Sequence, residues 1–143
     1  MNNKVVFITG AAGGIGFEIA KQFAKDGAMV VISDLDAKKL ENAESALLNL
    51  NLKVLGIGVD VTNEDQIKTS LNETYKRYGR IDILINNAGL QYVSPIEDFP
   101  TDKFELLIKV MLVASFITTK HIFPIMKKQK FGRIINMASI NGL

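Results

Sequence analysis

A chain of 143 residues suits one domain of the usual ~100–200 residues and leaves no room for a complete second one. Its 48% hydrophobic and 22% charged residues exclude a disordered or fibrous protein, and a net charge of +2 gives no electrostatic footprint for nucleic acid. With no cysteine and one histidine, neither a disulfide framework nor a thiolate or imidazole metal site can be built.

The N-terminus enters an apolar strand pattern by Lys4, too early for a cationic segment, an apolar stretch and a cleavage site. The longest apolar tract, Leu106 to Ile117, is interrupted by Lys109 and is too short to span a bilayer. Together these set the expectation of a cytoplasmic protein with no membrane partner.

Short β-branched runs alternate with longer amphipathic ones. Val5 to Ile8 is followed by a helix over 14–26, Met29 to Ile32 by a helix over 36–50, and Val54 to Ile57 by a helix over 63–78. Ile81 to Ile85, one long helix over 101–129 and Arg133 to Met137 complete the series. Strands this continuously apolar belong in a parallel sheet covered on both faces, so the expected fold is α/β and doubly wound, a single domain over 1–143. Asp26-Gly27 and Tyr78-Gly79 end helices; Thr62 or Asn63, and Thr101 after Pro100, are expected to cap them. Lys127, Lys128 and Lys130 near Arg133 read as a solvated helix end. A fifth strand with no successor leaves an apolar edge, and Ile140 to Leu143 offer no polar tail, so the chain reads as cut inside its core.

Between the first strand and first helix lies Thr9-Gly10-Ala11-Ala12-Gly13-Gly14-Ile15-Gly16. Glycines there permit a tight turn, close approach to a pyrophosphate and helix-on-strand packing, while the open N–H groups of the helix favour an anion. A glycine-rich turn that only eases packing has the same composition; strand and helix on either side favour phosphate binding, by Gly10, Ala12, Gly13, Gly14, Ile15 and Gly16. Asp34 closes the second strand, 18 residues after Gly16, where a carboxylate can accept from both adenosine ribose hydroxyls or else start the next helix. No Lys or Arg occupies 11–15 or 33–37 to balance a 2′-phosphate, so the cofactor expected is NAD rather than NADP.

With Asp60-Val61 after the third strand and Asn86-Asn87-Ala88-Gly89 after the fourth, the chain resembles the short-chain dehydrogenase/reductase family along its whole length, in the Thr-Gly-x-x-x-Gly-x-Gly variant of the glycine motif. The resemblance implies that Asp60 touches the adenine amino group, Val61 lies on its ring, and Asn87, Ala88 and Gly89 border the cofactor. Ser139, in Asn136-Met137-Ala138-Ser139, matches the family's catalytic serine, although a serine after a strand also caps helices. Gln91 to Pro100 and Phe131 to Asn136 resemble D-3-hydroxybutyrate dehydrogenases, which implies that Gln91 binds the substrate carboxylate beside Ser139; an exposed loop residue is the other reading.

Two departures stand against this resemblance. The family's relay asparagine aligns with Met111, a thioether that donates no proton. Its Tyr-x-x-x-Lys pair falls about a dozen residues past the serine, beyond the last residue here. The implied reaction is hydride transfer between NAD and a secondary alcohol or ketone, such as 3-hydroxybutyrate and acetoacetate, by a homo-oligomer. The 143-residue polypeptide itself is expected to bind nucleotide or self-associate without turnover. Tyr75, Tyr78 and His121 are expected to pack or face solvent rather than catalyse.

Overall fold

The computed structural model describes residues 1–139; Ile140 to Leu143 lie outside the described residues. Strand and helix alternate as β1 (Val5–Thr9), α1 (Gly14–Lys25), β2 (Met29–Asp34), α2 (Ala37–Leu48), β3 (Val54–Gly58), α3 (Glu64–Tyr78) and β4 (Ile83–Asn86). A 3-10 turn at Ile96–Asp98 precedes α4 (Thr101–Ile108), a π-helical turn (Lys109–Val113), α5 (Ala114–Lys128) and β5 (Arg133–Asn136). The five strands are parallel in the order β3-β2-β1-β4-β5, the doubly wound sheet that the apolar runs imply.

Strand periodicity divides the core in two. Val6, Ile8, Val30, Ile32 and Ile85 face one side and pack with Ala20, Ala24, Leu40 and Leu47 of α1 and α2. Phe7, Val31 and Leu84 face the other and pack with Ile67 and Leu71 of α3 and Ile122 and Met126 of α5. Each of these side chains is at most 6% exposed, and burying one of the large ones stabilises the fold by roughly 1.5–3 kcal/mol. Tyr75 and Tyr78 pack at the rim of the second cluster.

Local signals explain most of the element ends. Asn63 caps α3, its side chain accepting from the Gln66 N–H at 3.1 Å, and Asp36 caps α2 by accepting from Lys39 N–H at 3.0 Å. Gly79 ends α3 at φ +73 and Gly27 follows α1 at φ +91. Thr101 does not cap: it is the first helical residue, Pro100 holds the cap position, and no side chain bonds the open amides there.

The long helix expected over 101–129 is interrupted by the π turn and otherwise continuous. As a 28-residue stretch from Thr101 to Lys128 with a mean hydropathy of 1.6 over its most apolar window, it is long and apolar enough by length and composition to cross a bilayer. The sequence expectation of too short a tract therefore fails, because Lys109 lies inside the helix instead of ending it. Val110, Ala114, Thr118, Ile122 and Met126 form a buried stripe along it; Ile122 and Met126 join the sheet's second core cluster and Thr118 bonds to Asn86 of β4.

At the amino end of the sheet, fully buried Asp82 accepts from Val5 N–H at 3.0 Å, Lys4 Nζ at 3.1 Å and Arg80 Nε at 2.7 Å. Burial pushes its carboxyl up, but Arg80, the Val5 amide and Lys4 together hold it below the ordinary aspartate value. β4 begins two residues later than the apolar run suggests, although the Asp82 backbone already joins the neighbouring strands through Val5 and Arg133.

Candidate functional site

The strand order reverses between β1 and β4, and the loops leaving the carboxyl ends of β1 to β4 enclose a cavity of about 480 Å³ at that point. Crevices of this kind are where parallel α/β sheets hold ligands.

One wall is the loop after β1. Gly10, at φ +62, is held against the loop after β4: a Cβ there would stand 2.7 Å from Ala88 Cα. At Gly16 a Cβ would collide with the Asn87 amide and lie 2.7 Å from the Gly10 carbonyl oxygen. Gly13 differs, since a Cβ there meets nothing within 4 Å while the residue lines the cavity. Two glycines therefore bring backbone onto backbone, and the third leaves space beside the first turn of α1, where unpaired N–H groups concentrate partial positive charge.

Thr9 ties the two loops together. Its hydroxyl oxygen accepts from the Asn87 and Ala88 N–H groups at 3.1 and 3.0 Å, and Asn87 Nδ2 donates to the carbonyls of Thr9 at 3.0 Å and Gly10 at 2.8 Å. Asn87 is thus a brace for the glycine turn as well as a lining residue.

Two carboxylates stand at the rim. Asp34 Oδ2 accepts from Ala12 N–H at 3.1 Å and Oδ1 from Asp36 N–H at 3.2 Å, which fixes the carboxylate and still leaves lone pairs on both oxygens. Asp60 Oδ1 accepts from the N–H and hydroxyl of Thr62 at 2.8 and 2.7 Å, a turn that sets the path into α3. No Lys or Arg lines the cavity among the described residues.

The structure gathers Gly10, Gly13, Ile15, Gly16, Asp34, Asp60, Val61, Asn87, Ala88 and Gly89 around one space. Ala12 and Gly14 belong to the same loop without lining it; Ala12 acts through its bond to Asp34, and Gly14 takes φ +56 at the start of α1. Gln91 and Ser139 are exposed and not part of this wall. Ser139 follows β5, whose end is pinned by Asn86: Asn86 Nδ2 donates to Asn136 Oδ1 at 2.8 Å, its carbonyl accepts from Met137 N–H at 2.9 Å, and its side-chain oxygen accepts from Thr118 at 2.7 Å. Met111 lies half-exposed in the π turn.

Leu35, Val59, Thr62, Leu90, Leu106 and Val110 complete the lining and escape a reading of the sequence as site residues. The four-residue spacing of Leu106 and Val110 on one helix is the only sequence signal for the pair, and it is indistinguishable from ordinary core packing. His121 lies elsewhere, between α3 and α5, where its Nε2 and Lys120 Nζ meet Glu64 Oε1 at 2.7 and 2.8 Å. Lys120 first, then His121, holds the Glu64 carboxyl below its usual range.

Residues 4–143 match the short chain dehydrogenase family model. The chain is 59% identical over its whole length to an uncharacterized oxidoreductase, YxjF, of Bacillus subtilis (strain 168), covering 56% of that protein. It is 39% identical over 142 residues to a D-beta-hydroxybutyrate dehydrogenase of Rhizobium meliloti (strain 1021), covering 98% of this chain and 55% of the relative. Among solved structures it superposes on NAD+-bound xylitol dehydrogenase with a TM-score of 0.94 at 32% identity, covering 99% of this chain and 55% of that one. A metagenomic short-chain oxidoreductase in complex with NADP gives 0.93 at 30% identity, covering 100% and 65% respectively. The chain therefore spans little more than half the length of the curated relatives it matches.

Proposed function

The chain belongs to the short-chain dehydrogenase family, and from that premise we propose that it is the NAD-binding part of an oxidoreductase acting on a secondary alcohol or ketone, with 3-hydroxybutyrate and acetoacetate as the substrate pair. The observation that carries the reading is the cavity at the strand-order reversal, with a glycine turn on one side and the Asp34 carboxylate on the other. Space beside Gly13 and the N-terminus of α1 suits a diphosphate, and Asp34 suits ribose hydroxyls.

Asp34 also supports NAD over NADP. A 2′-phosphate beside it would place like charges at ~4 Å, about 4 kcal/mol of repulsion at an effective dielectric near 20, with no lining cation to offset it. Asp60 and Val61 would hold adenine, and Asn87, Ala88 and Gly89 the central part of the cofactor. The bound dinucleotide supplies the hydride acceptor. Ser139 would donate a hydrogen bond to the substrate oxygen, and the Gln91 amide would take the substrate carboxylate. The 36–39% identity to proteins named D-beta-hydroxybutyrate dehydrogenase supports that choice of substrate. A cytoplasmic location and a homo-oligomer complete the proposal; the exposed apolar side chains of α4 and α5, Phe104, Leu112 and Phe116 among them, support the oligomer.

Titration with NADH and NADPH tests the reading. The polypeptide should bind NADH at least about 100-fold more tightly than NADPH, as roughly 3 kcal/mol of discrimination requires. In Asp34→Ala the ratio should collapse towards one; the ratio is the readout, because loss of the Ala12 anchor weakens both. Equal affinity of the unaltered protein for both nucleotides, or affinity for neither, overturns the reading. None of Tyr75, Tyr78 and Tyr92 has a lysine four residues on, so binding should occur without oxidation of 3-hydroxybutyrate.

A further inference from the structure

β3 is an edge of the sheet, flanked by β2 alone among the described residues. Val30 N–H bonds to the Lys53 carbonyl and Val59 N–H to the Asp34 carbonyl, so the odd-numbered residues of this segment turn their backbone groups towards β2. Parallel pairing alternates, and Val54, Gly56 and Gly58 therefore direct theirs outward. An edge of this kind is a template for another strand.

The middle donor is already taken. Glu44, on α2, accepts from Gly56 N–H through Oε1 at 2.8 Å. The absence of a side chain at 56 is what admits the carboxylate: a Cβ there would stand 3.0 Å from Glu44 Oε2 and 3.3 Å from Leu40 Cγ. Gly56 does not have a positive φ, so close approach and not a left-handed backbone accounts for the glycine.

We propose that Glu44 is an edge guard, withholding Gly56 N–H from antiparallel pairing of β3 with β3 of a second copy of this chain. The occupant follows from symmetry: two outward strands related by a two-fold axis at Gly56 would set Gly56 opposite Gly56 and require both of these N–H groups. The same approach would bring two Glu44 carboxylates together. The guard thus acts twice, by occupying the donor and by charge.

Glu44→Ala opens the edge, and Glu44→Asp, one methylene too short to reach, opens it with the charge kept. Glu44→Ala should raise the self-association constant by about tenfold, as one to two recovered hydrogen bonds of ~1 kcal/mol allow, and Glu44→Asp by less, because its paired carboxylates still repel. In the monomer, at the dilute end of a concentration series, both should also speed amide exchange at Gly56 by about tenfold. Gly58→Lys, at an outward position where a Cβ meets nothing within 4 Å, should return the Glu44→Ala protein to the unaltered level in the double variant. Sedimentation velocity over a concentration series reads the association, and hydrogen exchange reads the amide. Faster Gly56 exchange with unchanged association overturns the proposal, as does added association that survives Gly58→Lys. Unaltered exchange in a folded Glu44→Asp overturns it too, and that variant decides the matter if Glu44→Ala does not fold. NADH plays no part in these readouts, so the dehydrogenase reading can fail independently.

Discussion

Glycine does two different jobs around one cavity, and only coordinates separate them. Gly10 and Gly16 are sites of close approach, where a Cβ would strike Ala88, Asn87 or the Gly10 carbonyl. Gly13 has φ −175, which any residue adopts, and an open neighbourhood. Gly13→Ala should therefore fold with a loss below about 1 kcal/mol, the ordinary difference between Gly and Ala at a helix N-cap. It should still weaken NADH binding by about tenfold or more, because its methyl enters space a phosphate needs. Gly16→Ala should lose roughly 1–3 kcal/mol from overpacking before any binding is considered. Thermal melts and NADH titrations of both proteins check the contrast; equal stability of the two would remove the distinction. The motif was readable in sequence as a set, since its spacing between strand and helix is specific. The division of labour was not, because it depends on Asn87 and Ala88, far along the chain. The same holds for Thr9, quoted with the motif yet revealed as a tie only when its hydroxyl is seen against the loop after β4.

Elements are fixed at their ends by groups that periodicity does not weigh. The apolar run Ile81 to Ile85 reads as one strand, but Asp82 sits within it as a buried carboxylate holding Lys4, Arg80 and the Val5 amide. That clamp joins the start of β1 to the start of β4 at the end of the sheet opposite the cavity. Its carboxyl titrates below the ordinary aspartate value in the folded protein, so unfolding at acid pH is coupled to proton uptake by Asp82. The stabilisation is fully present above the unfolded value near 4 and is lost as pH falls through the lowered folded value. Asp82→Asn should cost roughly 1–3 kcal/mol at pH 7 through the loss of charge-assisted bonds. It should also flatten the fall in melting temperature between neutral pH and the acid range. A variant that keeps the full acid slope would show that other carboxylates set it. The π turn at Lys109–Val113 escaped the sequence for a related reason: one extra residue in a helical turn leaves the apolar pattern on either side intact.

At the scale of the whole molecule, the alternation of apolar runs identifies a parallel sheet covered on both faces, but the order of its strands emerges only when β4 pairs with β1 instead of β3. The sheet buries one stripe of the long helix, Val110 to Met126, and leaves the opposite face with Phe104 at 55%, Leu112 at 64%, Phe116 at 67% and Phe123 at 59% exposure. An apolar face of this extent on an otherwise ordinary surface favours self-association, which the proposed homo-oligomer requires. Phe116→Glu places a charge in the middle of that face. If copies meet there, the substitution forfeits roughly 1.5–3 kcal/mol of aromatic burial and adds a desolvation cost, so association should weaken by more than about tenfold. Leu106 and Val110, which wall the cavity, lie outside this substitution, so NADH affinity should stay within about twofold. Sedimentation velocity of the two proteins over the same concentration range reads the first quantity and fluorescence titration the second. An unchanged association constant in Phe116→Glu would move the oligomer contact off this helix and leave β5 or another surface to account for it.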